Sequence, residues 1–235
     1  MKILDLFCCA GGAAMGYHIA GFDVVGVDIA PQPNYPFSFV QSDVLSLPAG
    51  FLKTFDAIHA SPPCQGYSAM RHAHNAKHNP RLIDDVRKML EATGLPYVIE
   101  NVEAAKPFMR DPFMLCGTMF GLGLEDHELR RHRLFETNWP ITDAPQCRHT
   151  DGPVIGVYGG HARRRSAKHG GRGTKDVWPN GHKAAMAEAM QITWANTAEM
   201  SEAIPPAYTE WIGRRLYQVV CDRREAAAAA QCEPA

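Results

Sequence analysis

The chain has 235 residues, of which 46% are hydrophobic and 21% charged, and this balance predicts a globular protein with a sizeable core. Its formal net charge of −1 does not by itself indicate a polyanionic partner. The sequence shows no signal peptide and no apolar stretch of membrane-spanning length, so we expect a soluble, cytoplasmic protein without a membrane partner. Seven scattered cysteines argue against a disulfide framework and favour a reducing compartment.

The first thirty residues predict a strand–turn–helix–strand unit of the kind that binds nucleotides. Residues 2–7 form a compact apolar strand, residues 8–12 are small and rich in glycine, and residues 13–20 have helical composition. A second strand over residues 24–29 carries Asp28 near its end. The glycine spacing departs from the G-x-G-x-x-G pattern, which favours an adenosyl ligand over a pyrophosphate. Plain packing of an α/β domain is the alternative that the pattern leaves open.

A third strand is predicted over residues 39–44, again with an acid, Asp43, close to its end. The apolar run 55–58 predicts a fourth strand, and in the loop that follows, over residues 59–68, two prolines precede Cys64. Because prolines restrict the backbone, the thiol is presented on a rigid turn beyond a strand end, where parallel sheets bind ligands. Taken alone, Cys64 fits a nucleophile and a small buried residue equally well.

The second half of the chain begins with a predicted helix over residues 80–93 and a strand over residues 97–102. Glu100 lies in that otherwise apolar strand, where a carboxylate is costly unless it is paired or functional. A basic cluster at residues 130–133 leads into a further strand. After Pro206, apolar residues recur at helical spacing and predict a helix that packs on the core.

Between these elements lies a glycine-rich, basic segment with few large apolar residues. It holds six Lys or Arg and no acid from Arg163 to Lys175, which predicts contact with phosphates, although a solvated loop has the same composition. Three regions follow from these patterns, namely a main domain of residues 1–137 and 187–222, an insert of residues 138–186, and a C-terminal tail of residues 223–235 without function.

Five separated motifs occur in the order found in the DNA cytosine-5 methyltransferase family, and the chain resembles the small bacteriophage and bacterial members of that family. The motifs are Asp5-Leu6-Phe7 with Gly11-Gly12, Pro63-Cys64-Gln65, Glu100-Asn101-Val102, Arg131-His132-Arg133 and Ala203-Ile204-Pro205-Pro206. The resemblance implies a Rossmann-like class I methyltransferase fold that uses S-adenosyl-L-methionine. Such a fold has a mainly parallel twisted sheet flanked by helices, and the insert would be a small target-recognition region.

The resemblance also implies an activity, which is methylation of carbon 5 of cytosine in double-stranded DNA. The base would be flipped out of the duplex and would form a covalent adduct with Cys64. Glu100 would hold ring nitrogen 3 and the exocyclic amine, and Arg133 would hold the carbonyl at position 2. Arg131 would support the geometry of the loop. These four residues are the expected catalytic set.

Binding roles are implied at further positions. The residues expected to bind the cofactor lie mostly at strand ends, and they are Phe7, Gly11, Gly12, Asp28, Ile29, Asp43, Val44 and Pro63. Asp28 would accept hydrogen bonds from the ribose and Asp43 from the adenine amino group. The residues expected to contact DNA are Gln65, Ser68, Arg163, Arg164, Arg165 and Lys168.

Three positions depart from the family pattern. Cys9 stands where the first motif often has Gly, Leu129 where the arginine motif has Gln, and Glu202 where the last motif has Asn. The last departure leaves open whether unmodified S-adenosyl-L-methionine is the methyl donor.

Other functions stay compatible with the residues. The same chemistry could act on RNA such as tRNA, or the protein could be a catalytically silent DNA-binding decoy, against which the intact Cys64, Glu100 and Arg133 argue. We expect a monomer without an obligate protein partner, in the cytoplasm of a bacterial or phage-infected cell.

No metal site is expected. The histidines at 72, 74 and 78 are interleaved with basic and amide residues and have no nearby cysteine or acid to complete a tetrahedral set. Cys147 and His149 likewise lack partners at the spacing of a zinc motif.

Overall fold

The structure, a computed structural model, describes residues 1–67, 80–158, 177–178 and 180–232. Its central element is a seven-stranded sheet, and two further short strands pair with each other. The strands are β1 (Lys2–Leu6), β2 (Asp23–Asp28), β3 (Ser38–Gln41), β4 (Ala57–Ala60), β5 (Tyr97–Asn101), β6 (Phe113–Leu115), β7 (Gly123–Leu124), β8 (His127–Glu128) and β9 (Arg133–Thr137).

In the main sheet the strand order is β3-β2-β1-β4-β5-β9-β6. The first five of these strands are parallel to one another, whereas β9 runs antiparallel to both of its neighbours, β5 and β6. The order changes direction at β1, from which the chain moves first towards β3 and then towards β5. This mainly parallel arrangement confirms the predicted α/β fold class.

Helices cover the sheet. They are α1 (Gly12–Ile19), α2 (Ala49–Leu52), α3 (Ile83–Glu91), α4 (His182–Met190), α5 (Thr197–Glu202) and α6 (Pro206–Cys232), with 3-10 turns at Val44–Ser46, Glu103–Phe108 and Gly117–Phe120. In the part of the chain that the structure describes, no helix is both long enough and apolar enough to cross a bilayer.

The core lies on both faces of the sheet. In β1, Ile3 packs into one hydrophobic cluster and Leu4 and Leu6 pack into the other, as the two-residue period of a strand requires. The first cluster contains Tyr17 of α1, and the second contains Leu90 of α3. The sheet is therefore the middle of three layers.

Helix α6 packs against α1 so closely that the contact requires glycine. A Cβ atom at Gly16 would lie 2.1 Å from the carbonyl oxygen of Pro206, and the Thr209 hydroxyl donates to the carbonyl of Ala13 over 2.8 Å. Because α1 follows the first loop directly, this packing brings the start of α6 beside that loop. The last motif thus lies next to the first, with Ala203 and Ile204 against Gly12.

Two predicted boundaries fall inside helices. The expected junction between residues 186 and 187 lies within α4, and the expected tail from residue 223 continues α6 as far as Cys232. Arg224 of this extension lies 2.7 Å from Asp56, and Arg223 donates to the carbonyl of Gly94. The first part of the predicted tail is therefore a continuation of the last helix, in contact with the main domain.

A buried ion pair fastens α3 to β9. Arg87 donates to both carboxylate oxygens of Glu136, over 2.6 and 2.8 Å, and both side chains are almost fully buried. The same guanidinium donates to the carbonyl of Phe108, and the amide of Arg110 donates to Glu136. All of these groups are paired, so the network holds three segments in one arrangement.

Asp5 lies buried in β1 and accepts a hydrogen bond from the Tyr35 hydroxyl over 3.4 Å. Burial raises the pKa of its carboxyl to about 8, whereas 3.8 is its ordinary value. Between these two values the folded chain keeps a proton that the unfolded chain releases, so stability falls as pH rises through that window.

Because of this carboxyl, we expect the free energy of unfolding to fall by up to about 1.4 kcal/mol for each pH unit between about pH 5 and 8. Asp5→Asn should flatten the slope and should be more stable than the wild type at the alkaline end. Denaturant unfolding at a series of pH values measures how the free energy of unfolding depends on pH. The exposed Asp23→Asn is the matched control, and an unchanged slope in Asp5→Asn would contradict the assignment.

Candidate active site

The carboxyl ends of five parallel strands meet along one edge of the sheet, and most of the predicted site residues lie there. Phe7 follows β1, Asp28 ends β2, Asp43 follows β3, Cys64 follows β4, and Glu100 is the penultimate residue of β5. This is the edge at which open parallel sheets bind ligands.

The loop after β1 has an unusual backbone. Phe7, Cys9 and Gly11 have φ values of 59°, 43° and 80°, so three of five consecutive residues are left-handed. Only the glycine adopts this conformation without strain, and strained residues are typical of ligand-binding loops. The amide of Cys9 donates to Asp28 over 3.1 Å, which holds the loop against the end of β2. Gly12 begins α1 directly after this loop.

The side chains of Ile29 and Asp43, which are predicted to bind the adenosyl group, are exposed at this edge of the sheet, and that of Val44 is not. The side chain of Ile29 is 69% exposed next to Asp28, and the carboxylate of Asp43 caps the 3-10 turn by accepting from the amide of Leu45. Val44 instead is buried in the core cluster under β1, so only its backbone faces the edge of the sheet. The exposed Leu45 is an apolar side chain at this edge that sequence reasoning missed.

Negative charge is concentrated around the first loop. The pKa of the Cys9 thiol is raised, first by burial and then by the charges of Asp28, Glu202, Asp5 and Glu100. Glu202, the departure in the last motif, has its own pKa raised by loss of solvent and by nearby acids that include Asp28. A cationic ligand would relieve this repulsion, and an anionic one would add to it.

The loop after β4 is fixed by backbone hydrogen bonds on both sides of Cys64. The amide of Ser61 donates to the carbonyl of Leu6, and the amide of Tyr67 donates to the carbonyl of Cys64. The side-chain amide of Asn101, at the end of β5, donates to the carbonyl of Pro62 over 2.9 Å. Asn101 therefore couples the cysteine loop to the strand that carries Glu100, a role that the sequence did not reveal.

Cys64, Glu100 and Arg133 form one group. The Arg133 Nε atom lies 3.2 Å from Glu100 Oε1, and no described side chain makes a well-aligned hydrogen bond to that oxygen. Burial raises the pKa of Glu100, and the guanidinium acts in the opposite direction. Burial and the Glu100 charge raise the pKa of the half-buried Cys64 thiol, whereas Arg133 lowers it. The three residues expected to be catalytic are therefore close together, and the buried Oε1 atom of Glu100 could accept a hydrogen bond from a further donor.

A buried chain of hydrogen bonds orients Glu100. The Tyr17 hydroxyl lies 3.0 Å from His59 Nδ1, and His59 Nε2 lies 2.9 Å from the Ser61 hydroxyl. Ser61 in turn hydrogen-bonds to Glu100. Burial lowers the pKa of His59 to about 3, so its ring is neutral. A neutral ring has one nitrogen that donates and one that accepts, and through these two nitrogens His59 links Tyr17 to Ser61. Sequence reasoning identified neither Tyr17 nor His59, which look like ordinary core residues.

Arg131 binds backbone carbonyls of two other segments. Its buried guanidinium donates to the carbonyls of Val157, Ser201 and Ala203, and burial lowers its pKa to about 9. The Tyr208 hydroxyl donates to the carbonyl of Arg131 itself. Arg131 therefore joins Val157 of the insert to the segment before α6, and these contacts fit the supporting role that the resemblance implies.

The predicted DNA contacts are only partly described. Gln65 is half-exposed directly after Cys64. The other predicted contacts lie outside the described residues, and they are Ser68, Arg163, Arg164, Arg165 and Lys168. Within the described part of the insert, Ile155 and Val157 are buried, so the insert contributes to the core as well as to the surface.

A second cluster of functional groups was missed by the sequence. Cys147 and His149, which lack partners at motif spacing, lie beside Cys116 and His132 in the structure. The four residues come from three separate segments, so no local spacing could have connected them.

The comparisons with known proteins agree with this geometry. Residues 1–108 match the model of a family described as C-5 cytosine-specific DNA methylase. The type II methyltransferase M.HgiGI of Herpetosiphon aurantiacus is 30% identical over 118 residues, which are 45% of this chain and 94% of that protein. M.DdeI of Desulfomicrobium norvegicum is 31% identical over 117 residues, which are 43% of this chain. That stretch is only 28% of M.DdeI, so the chain spans little more than a quarter of such relatives.

Solved structures match over nearly the whole chain. A DNMT2 mutant of Spodoptera frugiperda gives a TM-score of 0.54 at 13% identity, covering 92% of this chain and 99% of that one. The Dnmt2 methyltransferase of S. pombe gives a TM-score of 0.56 at 12% identity, with 93% and 99% covered. At this identity the likeness shows the fold, which is the predicted Rossmann-like methyltransferase fold.

Proposed function

We propose, from the premise that this chain belongs to the family of C-5 cytosine-specific DNA methylases, that it methylates carbon 5 of cytosine in double-stranded DNA with S-adenosyl-L-methionine as the methyl donor. The observation that carries this proposal is the convergence of Cys64, Glu100 and Arg133 at the edge of the sheet where the first loop also ends. A thiol, a buried carboxyl and a guanidinium are the groups that addition to a pyrimidine ring requires.

The residues around the first loop fit the cofactor. S-Adenosyl-L-methionine supplies an electrophilic methyl group on a cationic sulfur and also carries an ammonium group. The carboxylates of Asp28 and Glu202 raise the pKa of the nearby Cys9 thiol, and their negative field attracts such a ligand. Asp28 and Asp43 would hold the ribose and adenine, and the exposed Ile29 would contact the adenine face. Phe7, Gly11 and Gly12 would line the cofactor, and Pro63 would support the junction between cofactor and substrate. The backbone at Val44, next to Asp43, would contribute at the adenine end.

Cys64 would begin the reaction by adding its sulfur to carbon 6 of the cytosine after losing its proton. Burial and the charge of Glu100 raise the pKa of this thiol and Arg133 lowers it, so protonation of Glu100 would favour the thiolate. The addition moves electron density to ring nitrogen 3, where a protonated Glu100 can donate its proton. Carbon 5 then becomes nucleophilic enough to accept the methyl group. Loss of the proton from carbon 5 and elimination of Cys64 complete the reaction.

Arg133 would bind the substrate, whereas Arg131 would support the protein around the site. Arg133 is 3.2 Å from Glu100 and would bind the carbonyl at position 2 while it balances the carboxylate. Arg131 would act on the cofactor side only indirectly, by holding the segment that carries Glu202. Gln65 and Ser68 would contact the DNA beside the flipped base. The basic run with Arg163, Arg164, Arg165 and Lys168 would neutralise backbone phosphates.

The proposal is tested with the purified full chain and a radiolabelled donor. Methyl incorporation into duplex DNA, with bisulfite sequencing to place the methyl group, is the expected result. Incorporation confined to tRNA would move the substrate to RNA. If there is no incorporation into either polymer, and no covalent complex with 5-fluorocytosine DNA, the protein is a DNA-binding decoy.

Glu100→Gln should lower the rate of methyl transfer by about 10²-fold, because the amide keeps the shape but cannot donate a proton to ring nitrogen 3. The wild-type rate should also decline on the alkaline side as the carboxyl ionises, and the variant should lack this decline. Single-turnover rates across a pH series measure both effects. Glu91→Gln, which removes an exposed carboxyl on α3, is the control and should match the wild type. A near-normal rate for Glu100→Gln would remove this residue from the chemistry.

A further inference from the structure

Four possible metal ligands converge on the side of the sheet that carries β9. Cys116 directly follows β6, His132 directly precedes β9, and Cys147 and His149 lie in the connection after β9. One ligand atom from each residue lies within 4.8 Å of the ligand atoms of the other three. We call this group the sulfur–histidine cluster, and the catalytic trio described above shares none of its residues.

The distances within the cluster are close to those of a tetrahedral site, although the one between Cys116 and His149 is shorter. With Zn–S bonds of about 2.3 Å and Zn–N bonds of about 2.05 Å, a sulfur and a nitrogen stand about 3.6 Å apart, and two nitrogens stand about 3.3 Å apart. Cys147 Sγ lies 3.6 Å from His132 Nε2, and Cys116 Sγ lies 3.2 Å from His149 Nε2. The two Nε2 atoms of His132 and His149 are 3.2 Å apart.

The neighbouring groups orient the ligands correctly. His132 Nδ1 lies 3.3 Å from the carboxylate of Glu103, so the proton belongs on Nδ1 and the lone pair of Nε2 points into the cluster. The Thr118 hydroxyl lies 3.2 Å from Cys116 Sγ and accepts from the amide of Arg148, which leaves its own proton for the sulfur. A carboxylate behind a histidine and a hydroxyl against a cysteine are the usual supports of metal ligands.

The chemistry of the ligand set selects the ion. Two thiolates and two imidazoles at tetrahedral spacing favour Zn²⁺, and the charges of the ion and the two thiolates cancel. Neutrality matters because Cys116 is completely buried, where an unbalanced charge would be costly. The partly exposed His149 leaves a route by which the ion can enter. Binding would release the two thiol protons to solvent.

We propose that the sulfur–histidine cluster binds one Zn²⁺ as a structural site with all four positions filled by protein. The ion fastens the connection after β9 to β6 and to the start of β9. The described part of that connection contains neither a helix nor a named strand between residues 138 and 154, so few backbone hydrogen bonds hold it otherwise. His132 stands between Arg131 and Arg133, so the same ion fixes the segment that places the catalytic guanidinium.

The experiment measures the zinc content of the full chain by elemental mass spectrometry. The protein is purified without chelators and without a metal-affinity column. The expected result is about one zinc per chain. Cobalt added to the chelator-treated protein should give the visible bands of a tetrahedral ion together with a thiolate charge-transfer band. Cys147→Ser and His149→Asn should lose the zinc. The matched controls Cys221→Ser and His182→Asn, which lie on α6 and α4, should retain it.

Thr118→Val provides a test that does not remove a ligand. We expect it to fold and to bind zinc about 10- to 100-fold more weakly in competition with a chelator, because the thiolate loses its hydrogen bond. Zinc-free wild type, with a cobalt spectrum that shows no thiolate band, overturns the proposal. A disulfide between Cys116 and Cys147, found by intact mass in protein from a reducing host, also overturns it. These measurements do not depend on methyl transfer, so they test the metal site independently of the proposed activity.

Discussion

Replacing Cys64 with serine is expected to lower methyl transfer to duplex DNA by about 10³-fold or more, because a hydroxyl cannot replace the thiolate as the attacking atom. The variant should bind DNA as the wild type does, since the thiol contributes little to affinity for the backbone. Incorporation of a radiolabelled methyl group measures the rate, and titration of a fluorescent duplex measures binding. Wild type should also form a covalent complex with 5-fluorocytosine DNA when the cofactor is present, and Cys64→Ser should not.

Cys221→Ser is the matched control, because it makes the same chemical change at a half-buried cysteine on α6, away from the edge of the sheet. It should keep the wild-type rate. Residual activity of more than a few per cent in Cys64→Ser would mean that another group attacks the ring. Loss of DNA binding in parallel with the rate would mean that the substitution disturbed the loop, which the hydrogen bond from Asn101 to Pro62 is expected to hold.

Arg87→Met is expected to lower the free energy of unfolding by about 3–5 kcal/mol, because it leaves the carboxylate of Glu136 buried without its ion pair. For a chain of this length the melting temperature should fall by roughly 6–20 °C. Thermal and urea unfolding followed by circular dichroism measure the effect. The double variant Arg87→Met/Glu136→Met should recover much of the loss, since two apolar side chains leave no buried charge.

Arg214→Met tests whether burial is the cause. Arg214 pairs with Glu210 over 2.7 Å on α6, but its side chain is 63% exposed, so its loss should cost less than about 1 kcal/mol. Equal losses for Arg87→Met and Arg214→Met would show that the buried pair contributes no more than a surface one. A double variant that is less stable than Arg87→Met would show that Glu136 still finds enough partners, among them the amide of Arg110.

The positions of the candidate site residues were predictable because most of them lie at the ends of strands. Hydrophobic runs and turn residues placed Cys64, Glu100, Asp28 and Asp43 at or near strand ends, whereas the roles expected of them came from the resemblance to the methyltransferase family. Parallel strands place their carboxyl ends together, so these residues had to meet once the strand order was right. The supporting residues were not predictable in the same way, because Tyr17 and His59 act through hydrogen bonds across the core.

Arg131 shows the limit of reasoning by motif. It occupies a motif position together with Arg133, yet its guanidinium lies among backbone carbonyls of segments up to 72 residues away. A motif specifies which residues recur but not which way each side chain points, and of the two arginines only Arg133 lies in β9. Val44 is likewise buried in the core, whereas its neighbour Asp43 is exposed.

The sequence by itself determined the fold class, the family to which the chain belongs, and the candidate residues Cys64, Glu100 and Arg133. These depend on hydrophobic periodicity and on short motifs, which are local properties of the chain. Only the tertiary structure decided the buried pair of Arg87 with Glu136, the duty of Arg131 and the meeting of Cys116 with His149. Each of these joins segments far apart in sequence, and their approach is set by the packing of helices on the sheet.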